Sequence, residues 1–278
     1  MSNKVLKPKK ASLYQFTQKY SNNIDNCIEF FKSMKWPGGF SCDRCGCHKY
    51  YLVKRLGKTK TSYVLECSSC HKQHSLLSGT IFQSCKLDLY KLLLGIFLFF
   101  NENKGISAIE LCSILDVNYK TALLLESKCR ILMSLSNSDK LLNSLFYEAD
   151  VFNIGAKSKN NAGRASEQQP ILGILSTDKE NNYPRYLKLR LINDYTGLSL
   201  KKNIELCCVL SHDALLNTDG EKGFNTLNEE IQVKNEKISY EEKNHRLLWS
   251  NIIIGNIKNN ITGIYHGITK REMPLFLN

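Results

Sequence analysis

The sequence Cys42-Asp-Arg-Cys45 … Cys67-Ser-Ser-Cys70 decides how the first part of this chain folds. Two residues separate the cysteines of each pair, so a tight turn can direct both thiolates at one ion, and two such turns complete a tetrahedron. The 21 residues between the pairs contain two segments that favour strands, Tyr50-Tyr-Leu-Val53 and Tyr63-Val-Leu65. The pattern predicts a zinc ribbon with Cys42, Cys45, Cys67 and Cys70 as ligands.

The same cysteines allow two other interpretations, a pair of disulfides or scattered buried thiols without a metal. Cys47, just beyond the first pair, could replace a neighbouring ligand, although we favour a thiol that does not bind the ion. Four cysteine ligands leave no open coordination position. The predicted zinc is therefore structural, and any catalytic metal must lie elsewhere in the chain.

Length and composition describe a globular protein of one large domain or, as we favour, two or three small ones. The chain has 278 residues, of which 42% are hydrophobic and 23% charged. No apolar segment follows the lysines of residues 1–10, so we expect no secretory signal. The longest apolar run, Leu92–Phe100, is far shorter than the roughly 20 residues that span a bilayer, and it predicts a buried helix or strand. We therefore expect no membrane association and a reducing, cytosol-like compartment.

Positive charge is concentrated in the first half of the chain. The formal net charge is +12. Residues 1–144 hold 21 basic and 10 acidic side chains, whereas residues 145–278 hold 17 and 16. A basic half favours a polyanionic partner such as nucleic acid, although lysines that merely keep a surface soluble would give the same balance.

Three helical patterns flank the ribbon. Residues 11–35 carry apolar side chains at intervals of three and four, and Trp36-Pro-Gly-Gly39 ends that pattern. Further on, Ser107 can cap one helix and Asn118 a second that continues through Arg130, with a short turn at Asp116 and Val117. This is the spacing of a helix-turn-helix, whose second helix enters the major groove of DNA. The predicted DNA-binding side chains are Asn118, Tyr119, Lys120, Thr121, Lys128 and Arg130.

The second half is predicted to be an α/β domain around a mixed sheet. Its predicted elements are strands at Leu145–Val151, Pro170–Ser176, Tyr186–Ile192 and Leu215–Asn217 and helices at Leu198–Cys207 and Trp249–Ile261, with a long connection at Gly155–Gln169. Asp150 and Asp219 each stand at the predicted end of a strand. Carboxylates at the ends of neighbouring strands can converge on divalent cations, although aspartate is also common in turns and helix caps.

Five motifs together resemble the ISXO-like group of insertion-sequence transposases. They are Trp36-Pro-Gly-Gly-Phe-Ser-Cys-Asp-Arg-Cys45, Ser78-Gly-Thr-Ile-Phe82, Lys104-Gly-Ile-Ser-Ala108, Tyr119-Lys-Thr-Ala122 and Gly263-Ile-Tyr-His-Gly267. The resemblance runs in order over residues 11 to 278. It implies a zinc ribbon, a helix-turn-helix and a ribonuclease-H-like core with a triad of two aspartates and a glutamate or asparagine.

The resemblance also assigns catalytic residues. Asp150, ahead of the Ile154-Gly155 turn, matches the first aspartate, and Asp219 in Asn217-Thr-Asp-Gly220 matches the second. Lys258 fits the family's basic residue, which indicates Asn251, seven positions earlier, as the third member. Residues seven apart on a helix share a face, which supports this choice over Asn256. Asp150, Asp219 and Asn251 would bind two Mg²⁺ or Mn²⁺ ions, with Lys258 on a DNA phosphate.

Two features depart from the family pattern. Val151 follows the first aspartate where the family usually has glutamate, and Glu148 lies nearby but out of register. The chain also ends soon after the Tyr265-His266 element, so we expect a C-terminally shortened core.

The predicted organisation is an N-terminal helix and arm (1–40), a zinc ribbon (41–82), a helix-turn-helix region (83–134), a linker (135–144) and the core (145–278). The predicted function is that of an enzyme, a DNA transposase that binds its element's terminal repeats and performs Mg²⁺-dependent cleavage and strand transfer. We expect it to act on double-stranded DNA as a dimer or larger oligomer, in a bacterial nucleoid or a eukaryotic nucleus. The alternatives are an inactive transposase remnant that regulates through DNA binding, and a structural zinc-ribbon component of a transcription assembly.

Overall fold

The computed structural model describes residues 11–57, 61–102, 105–137, 141–155, 168–178, 183–235, 247–265 and 273–277. The chain divides into two compact units, Met1–Cys129 and Arg130–Asn278. The predicted arm at residues 1–10 and most of the predicted connection Gly155–Gln169 lie outside the described residues.

The first unit combines a small antiparallel sheet with helices. In chain order its elements are α1 (Leu13–Tyr20), α2 (Ile24–Lys35), β1 (Tyr50–Leu56), β2 (Thr61–Cys67), β3 (Gln73–Ser75), α3 (Leu89–Asn101), α4 (Ala108–Leu115) and α5 (Tyr119–Asn137), the last of which continues into the second unit. Strands β1, β2 and β3 pair in that order. The sheet confirms the predicted ribbon strands, and α3 confirms that the apolar run forms a helix.

The predicted helix at residues 11–35 is two helices. Asn23 interrupts the pattern because its side chain accepts a hydrogen bond from the Asn26 N–H at 3.2 Å and caps α2. Ser12 caps α1 through a reciprocal capping box with Gln15. The apolar spacing runs through both helices, so periodicity alone does not show the break.

The helix-turn-helix forms as its capping residues predict. Ser107 and Glu110 make a capping box at the start of α4. Asp116 ends that helix in the left-handed region at φ 49°, and Asn118 Oδ1 accepts the Thr121 N–H at 2.9 Å to begin α5. Gly95 of α3 allows a close approach to these helices, because a Cβ there would stand 2.5 Å from Leu125 Cδ2.

The second unit is built on a five-stranded mixed sheet. Its elements are β4 (Phe146–Ile154), β5 (Gln169–Thr177), β6 (Pro184–Leu191), α6 (Gly197–Glu205), β7 (Leu215–Thr218), a 3-10 helix (Lys222–Leu227), β8 (Gln232–Asn235), α7 (Leu248–Gly263) and a short helix at Met273–Phe276. The strand order is β6-β5-β4-β7-β8. Strands β4, β5 and β6 are antiparallel neighbours, whereas β7 and β8 run parallel to β4. This is the topology of a ribonuclease-H-like core, and it confirms the predicted fold class.

The two faces of this sheet are covered by different elements. Tyr147 and Ala149 of β4 face a core shared with α6 and the 3-10 helix. Phe152 and Ile154 belong to a second apolar cluster with Ile254 and Ile261 of α7. Because side chains alternate along a strand, the even-numbered positions of β4, including Glu148 and Asp150, lie on the α7 face.

Several boundaries differ from the sequence predictions. Strand β4 continues for four residues beyond Asp150, so this aspartate lies within the strand and does not end it. Strand β8 and the 3-10 helix were not predicted, because each is short and lacks a clear apolar period. The predicted linker 135–144 overlaps the end of α5, and Leu142 within it is buried in the core and bonded to Cys207 and Val209.

Candidate active site and metal centres

The four predicted zinc ligands come together at the open end of the ribbon. Their sulfur atoms all lie within 4.8 Å of one another. The Sγ atoms of Cys42 and Cys70 are 3.5 Å apart, as are those of Cys45 and Cys67. A tetrahedron with Zn–S bonds of about 2.3 Å separates its sulfurs by about 3.8 Å, so the arrangement fits zinc.

Both cysteine pairs sit on the same kind of turn. The N–H of Cys42 donates to Cys47 O at 3.0 Å, and the N–H of Cys67 donates to Lys72 O at the same distance. Gly46 and His71 occupy equivalent positions in the left-handed region, at φ 72° and 57°. The matching backbone geometry explains how two separate segments present their sulfurs to one point.

The thiolate form of Cys42 is favoured by its surroundings. Burial raises the pKa of this thiol, but hydrogen bonds outweigh burial and lower the pKa to about 6. The groups that hydrogen-bond to the sulfur are the backbone of Arg44 and Cys45 and the side chains of His74 and Cys70. A sulfur that is readily deprotonated suits a metal ligand.

An aromatic cluster supports this end of the ribbon. The His74 ring packs edge-on against Phe40 and Trp36, with ring centres 5.4 and 6.3 Å apart. Lys35 lies over Trp36 and donates to Ser75 O at 2.6 Å, which ties α2 to the end of β3. The sequence motifs that contain these residues were visible, but the packing of His74 beneath Cys42 was not predicted.

Cys47 does not join the four sulfurs among the described residues. Its Sγ lies 3.5 Å from Ser68 Oγ, and hydrogen bonds led by that hydroxyl lower the pKa of its thiol. This favours the interpretation of Cys47 as a thiol beside the site.

The two predicted aspartates lie on adjacent parallel strands. Phe146, Tyr147 and Glu148 of β4 pair with Leu215, Leu216 and Asn217 of β7. The same register carried two residues further places Asp150 level with Asp219, the first residue after β7. Neighbouring strands are about 4.8 Å apart. Both aspartates are half-buried, and this register is consistent with two carboxyl groups that lie side by side on the sheet.

The turn that carries Asp219 is held by a polar network. The hydroxyl of buried Thr218 donates to Asn235 Oδ1 at 2.9 Å, and Asn235 Nδ2 donates to Glu221 O at 2.8 Å. Gly220, at φ 86°, lets the chain turn immediately after the aspartate. Strand β8, which supplies Asn235, therefore fixes the second aspartate.

Strand β5 places a glycine opposite Asp150. Gly173 is the residue paired with Asp150 on β5, and directly opposed residues share a face of the sheet. A Cβ at Gly173 would stand 3.3 Å from Phe152 Cε1, so even alanine would be tight there. The Phe152 ring and Leu189 therefore occupy the space that a side chain at position 173 would need.

Helix α7 covers the same face of the sheet and carries the other two predicted residues. Ser250, Ile254 and Ile261 are its buried positions. Asn251 and Lys258 are exposed and form the neighbouring stripe of the helix, and the Lys258 ammonium lies 5.5 Å from the centre of the Phe152 ring. Asn256, the alternative to Asn251 as the third catalytic residue, is also exposed but lies on a different side of the helix. Two carboxylates and an amide supply the all-oxygen donors that Mg²⁺ and Mn²⁺ prefer.

Sequence reasoning missed the part played by Glu148. This carboxyl group is 4% exposed, and its Oε2 accepts the Ser250 N–H at 2.8 Å. Burial raises its pKa, and hydrogen bonds from Ser250 only partly oppose that shift. An acidic residue among the apolar residues that precede Asp150 in β4 is the signal that could have identified it.

The predicted DNA-binding residues separate into two groups. A cleft of about 390 Å³ in the first unit brings together four of them, Asn118, Lys120, Thr121 and Lys128, with Lys86 from the preceding loop. Asn118 uses its Oδ1 to cap α5, and the Lys128 ammonium donates to Gln83 O at 3.2 Å. Tyr119 is 50% exposed at the start of the same helix.

Arg130 is buried in the structure, which disagrees with its predicted contact with DNA. It is 7% exposed, and its guanidinium lies 3.6 Å from the centre of the Phe276 ring and 4.8 Å from that of Tyr265. The sequence pattern placed Arg130 on the helix but could not show that aromatic residues near the C-terminus cover it.

A zinc ribbon, a helix-turn-helix and a ribonuclease-H-like core, in this order, are the domain organisation of a transposase. Two family models match the chain, the transposase zinc-ribbon domain over residues 23–73 and the ISXO2-like transposase domain over residues 146–278. The chain belongs to the ISXO2-like insertion-sequence transposases. The comparison with individually curated proteins returned no match. Within the described part of the chain, no helix is both long enough and apolar enough to cross a membrane.

Proposed function

We propose that this transposase binds the terminal repeats of its own element and performs metal-dependent cleavage and strand transfer with Asp150, Asp219 and Asn251. The observation that supports the proposal is the parallel register of β4 and β7, which pairs Glu148 with Asn217 and, continued by two residues, would bring the two aspartates level on the face covered by α7. When bound there, a pair of Mg²⁺ or Mn²⁺ ions stabilises the attacking and leaving oxygens of an in-line phosphodiester displacement.

Each proposed active-site residue has a separate role. Asp150 and Asp219 supply anionic oxygens, and Asn251 supplies a neutral carbonyl oxygen, which should hold its ion less tightly than a glutamate would. Lys258, exposed beside Phe152, places a positive charge where a DNA phosphate can approach.

DNA recognition is assigned to the first unit. The cleft beside the start of α5 presents Lys86, Lys120 and Lys128 around Thr121, so it combines positive charge with a side chain that can donate to a phosphate. Tyr119 and Lys120, at the N-terminal end of the second helix, occupy the positions that reach base edges in helix-turn-helix proteins. Zinc would hold the ribbon folded so that it can also contact DNA. Joining two element ends calls for at least a dimer, acting wherever the host DNA lies, in a nucleoid or a nucleus.

The test is a nicking and joining assay with Mg²⁺ or Mn²⁺ on DNA that carries candidate element ends. Wild type should nick and join the DNA, and Asp150→Asn should lose at least 100-fold in rate while it binds DNA as well as wild type. Asp213→Asn provides a matched control, because Asp213 is exposed and lies six residues before Asp219, away from the site.

A folded wild type that binds the DNA but never nicks it would reject the enzymatic proposal. That result would favour the regulator, which needs the ribbon and the basic cleft but not the carboxylates.

A further inference from the structure

Glu148 makes a buried contact between the catalytic strand and helix α7. Its carboxylate oxygen Oε2 accepts the backbone N–H of Ser250 at 2.8 Å, across 102 residues of sequence. The side chain is 4% exposed, so the contact is shielded from water. A buried carboxyl group is costly unless it is hydrogen-bonded, and this one is placed where it satisfies a backbone donor.

The helix start explains why a distant carboxylate is needed. Leu247 is the N-cap of α7, and its apolar side chain makes no capping hydrogen bond. Ser250 is the third residue of the helix, and the N–H at this position is one that an N-cap side chain normally accepts. Glu148 therefore replaces the missing local cap.

The contact lies beside the proposed catalytic residues on both elements. Glu148 and Asp150 occupy the same face of β4, two positions and about 6.8 Å apart. Ser250 directly precedes Asn251 in α7. One turn further along the helix, Ile254 packs in the same cluster as Phe152, and Lys258 lies over the Phe152 ring. The helix is thus held against β4 at two levels, one on either side of Asp150.

We infer that Glu148 is a positioning residue, which fixes the first turn of α7 so that Asn251 stays within reach of the metal ions bound by Asp150. This inference rests on the proposed function. Without Glu148, the Ser250 N–H loses its partner and the first turn of the helix frays, while the Phe152–Ile254 contact keeps the remainder of the helix in place.

The experiment compares Glu148→Ala with Glu148→Gln. The glutamine amide oxygen can still accept the Ser250 N–H, whereas alanine cannot. Leu227→Ala is the matched control for lost stability, because Leu227 is buried in the core on the opposite face of the sheet. The first readout is amide hydrogen exchange at Ser250 and Asn251, with Ile261 in the last turn of α7 as an internal reference. The second is the Mn²⁺ concentration that gives half-maximal nicking.

We expect Glu148→Ala to speed exchange at Ser250 and Asn251 at least tenfold relative to Ile261 and to raise the half-maximal Mn²⁺ concentration at least tenfold. Glu148→Gln should stay within threefold of wild type in both readouts. Leu227→Ala should lower the melting temperature without a selective change at the helix start. If Glu148→Ala does not fold, Glu148→Asp, whose shorter side chain cannot reach Ser250, is compared in the same way.

Wild-type exchange and Mn²⁺ dependence in folded Glu148→Ala would overturn the inference, as would Glu148→Gln behaving like Glu148→Ala. A wild type that does not nick DNA would reject the proposed function. Exchange at Ser250 and Asn251 would still decide whether Glu148 caps the helix, so the two failures are distinguishable.

Discussion

The ammonium of Lys258 lies 5.5 Å from the centre of the Phe152 ring, which joins the exposed edge of helix α7 to the strand that carries Asp150. Phe152 is two residues beyond Asp150 on the same face of β4, and the Lys258 backbone is part of a helix whose buried face packs on that ring. The aromatic ring therefore limits where the lysine can place its charge. This relationship makes Lys258 a side chain held beside the proposed active site, although its head group is exposed.

Replacing Lys258 by glutamine should lower the nicking rate at least tenfold, because a positive charge near the phosphate is lost. Lys258→Arg should retain most of the rate, since a point charge suffices for this contact. Because the side chain is exposed, the free energy of unfolding of both variants should lie within about 0.5 kcal/mol of the wild-type value. Single-turnover nicking measures the rate, and thermal melting measures the stability. Equal nicking rates for the glutamine and arginine variants would contradict a contact between Lys258 and the phosphate.

Asn251 and Asn256 offer a matched pair on one helix. Both are exposed asparagines of α7, but only Asn251 shares a stripe with Lys258. Asn251→Ala should abolish metal-dependent nicking, and Asn251→Asp should lower the Mg²⁺ concentration needed for half-maximal rate because a charged ligand binds the ion more tightly. Asn256→Ala should leave both unchanged. If Asn256→Ala loses activity and Asn251→Ala does not, the third metal ligand is Asn256.

Glu148 should make folding stability fall as pH rises. Burial raises the pKa of its carboxyl group above the ordinary value of 4.5, so the folded state holds this proton more tightly than the unfolded state does. The contribution of Glu148 is therefore most favourable below pH 4.5 and is lost progressively as pH rises towards the folded-state pKa. Glu148→Gln does not titrate, so the difference in unfolding free energy between wild type and this variant should shift against wild type as pH rises above 4.5. Urea unfolding at several pH values measures it, and a difference that does not vary with pH would contradict this account.

Zinc should be lost when a sulfur of the ribbon is removed. Cys67→Ser should abolish stoichiometric zinc and unfold the ribbon, because structural zinc in small domains contributes about 10–16 kcal/mol to folding near pH 7. Cys47→Ser is the control, since Cys47 lies outside the four-sulfur cluster, and it should keep one zinc per chain. Metal analysis by mass spectrometry, with circular dichroism before and after a chelator, provides the measurement. Zinc loss from Cys47→Ser would assign Cys47 to the ligand set.

Replacing Lys120 should weaken DNA binding, whereas replacing Arg130 should lower folding stability. Lys120→Ala should weaken binding to double-stranded DNA and reduce the slope of log K against log salt by about 1, because one phosphate contact is removed. Arg130→Ala should leave that slope unchanged but destabilise the second unit by about 2 kcal/mol, since the guanidinium is buried against aromatic rings. Fluorescence anisotropy between 50 and 200 mM salt, together with urea unfolding, separates the two effects. A reduced salt slope for Arg130→Ala would return this residue to the DNA-binding surface.

The sequence by itself determined the features whose chemistry is local. Two residues between paired cysteines favour a tight turn that directs both sulfurs at one point, so spacing alone identified the four cysteines that the structure brings together. Ser107, Asp116 and Asn118 act on backbone groups within four residues, so the start and end of the helix-turn-helix were also predicted correctly. The apolar strands predicted a mixed sheet, because alternation and turn residues are properties of neighbouring positions.

Tertiary structure alone decided which distant residues meet. The sequence placed Asp150 at the end of a strand, whereas the structure continues β4 to Ile154 and sets Asp150 opposite Gly173. Arg130 stands at a sequence position that predicts contact with DNA, but in the structure it is buried against the Phe276 ring. The Glu148–Ser250 contact spans 102 residues, and no local pattern encodes a helix cap supplied from another element. Strand order and packing create these contacts, and both depend on the free energy of the whole fold.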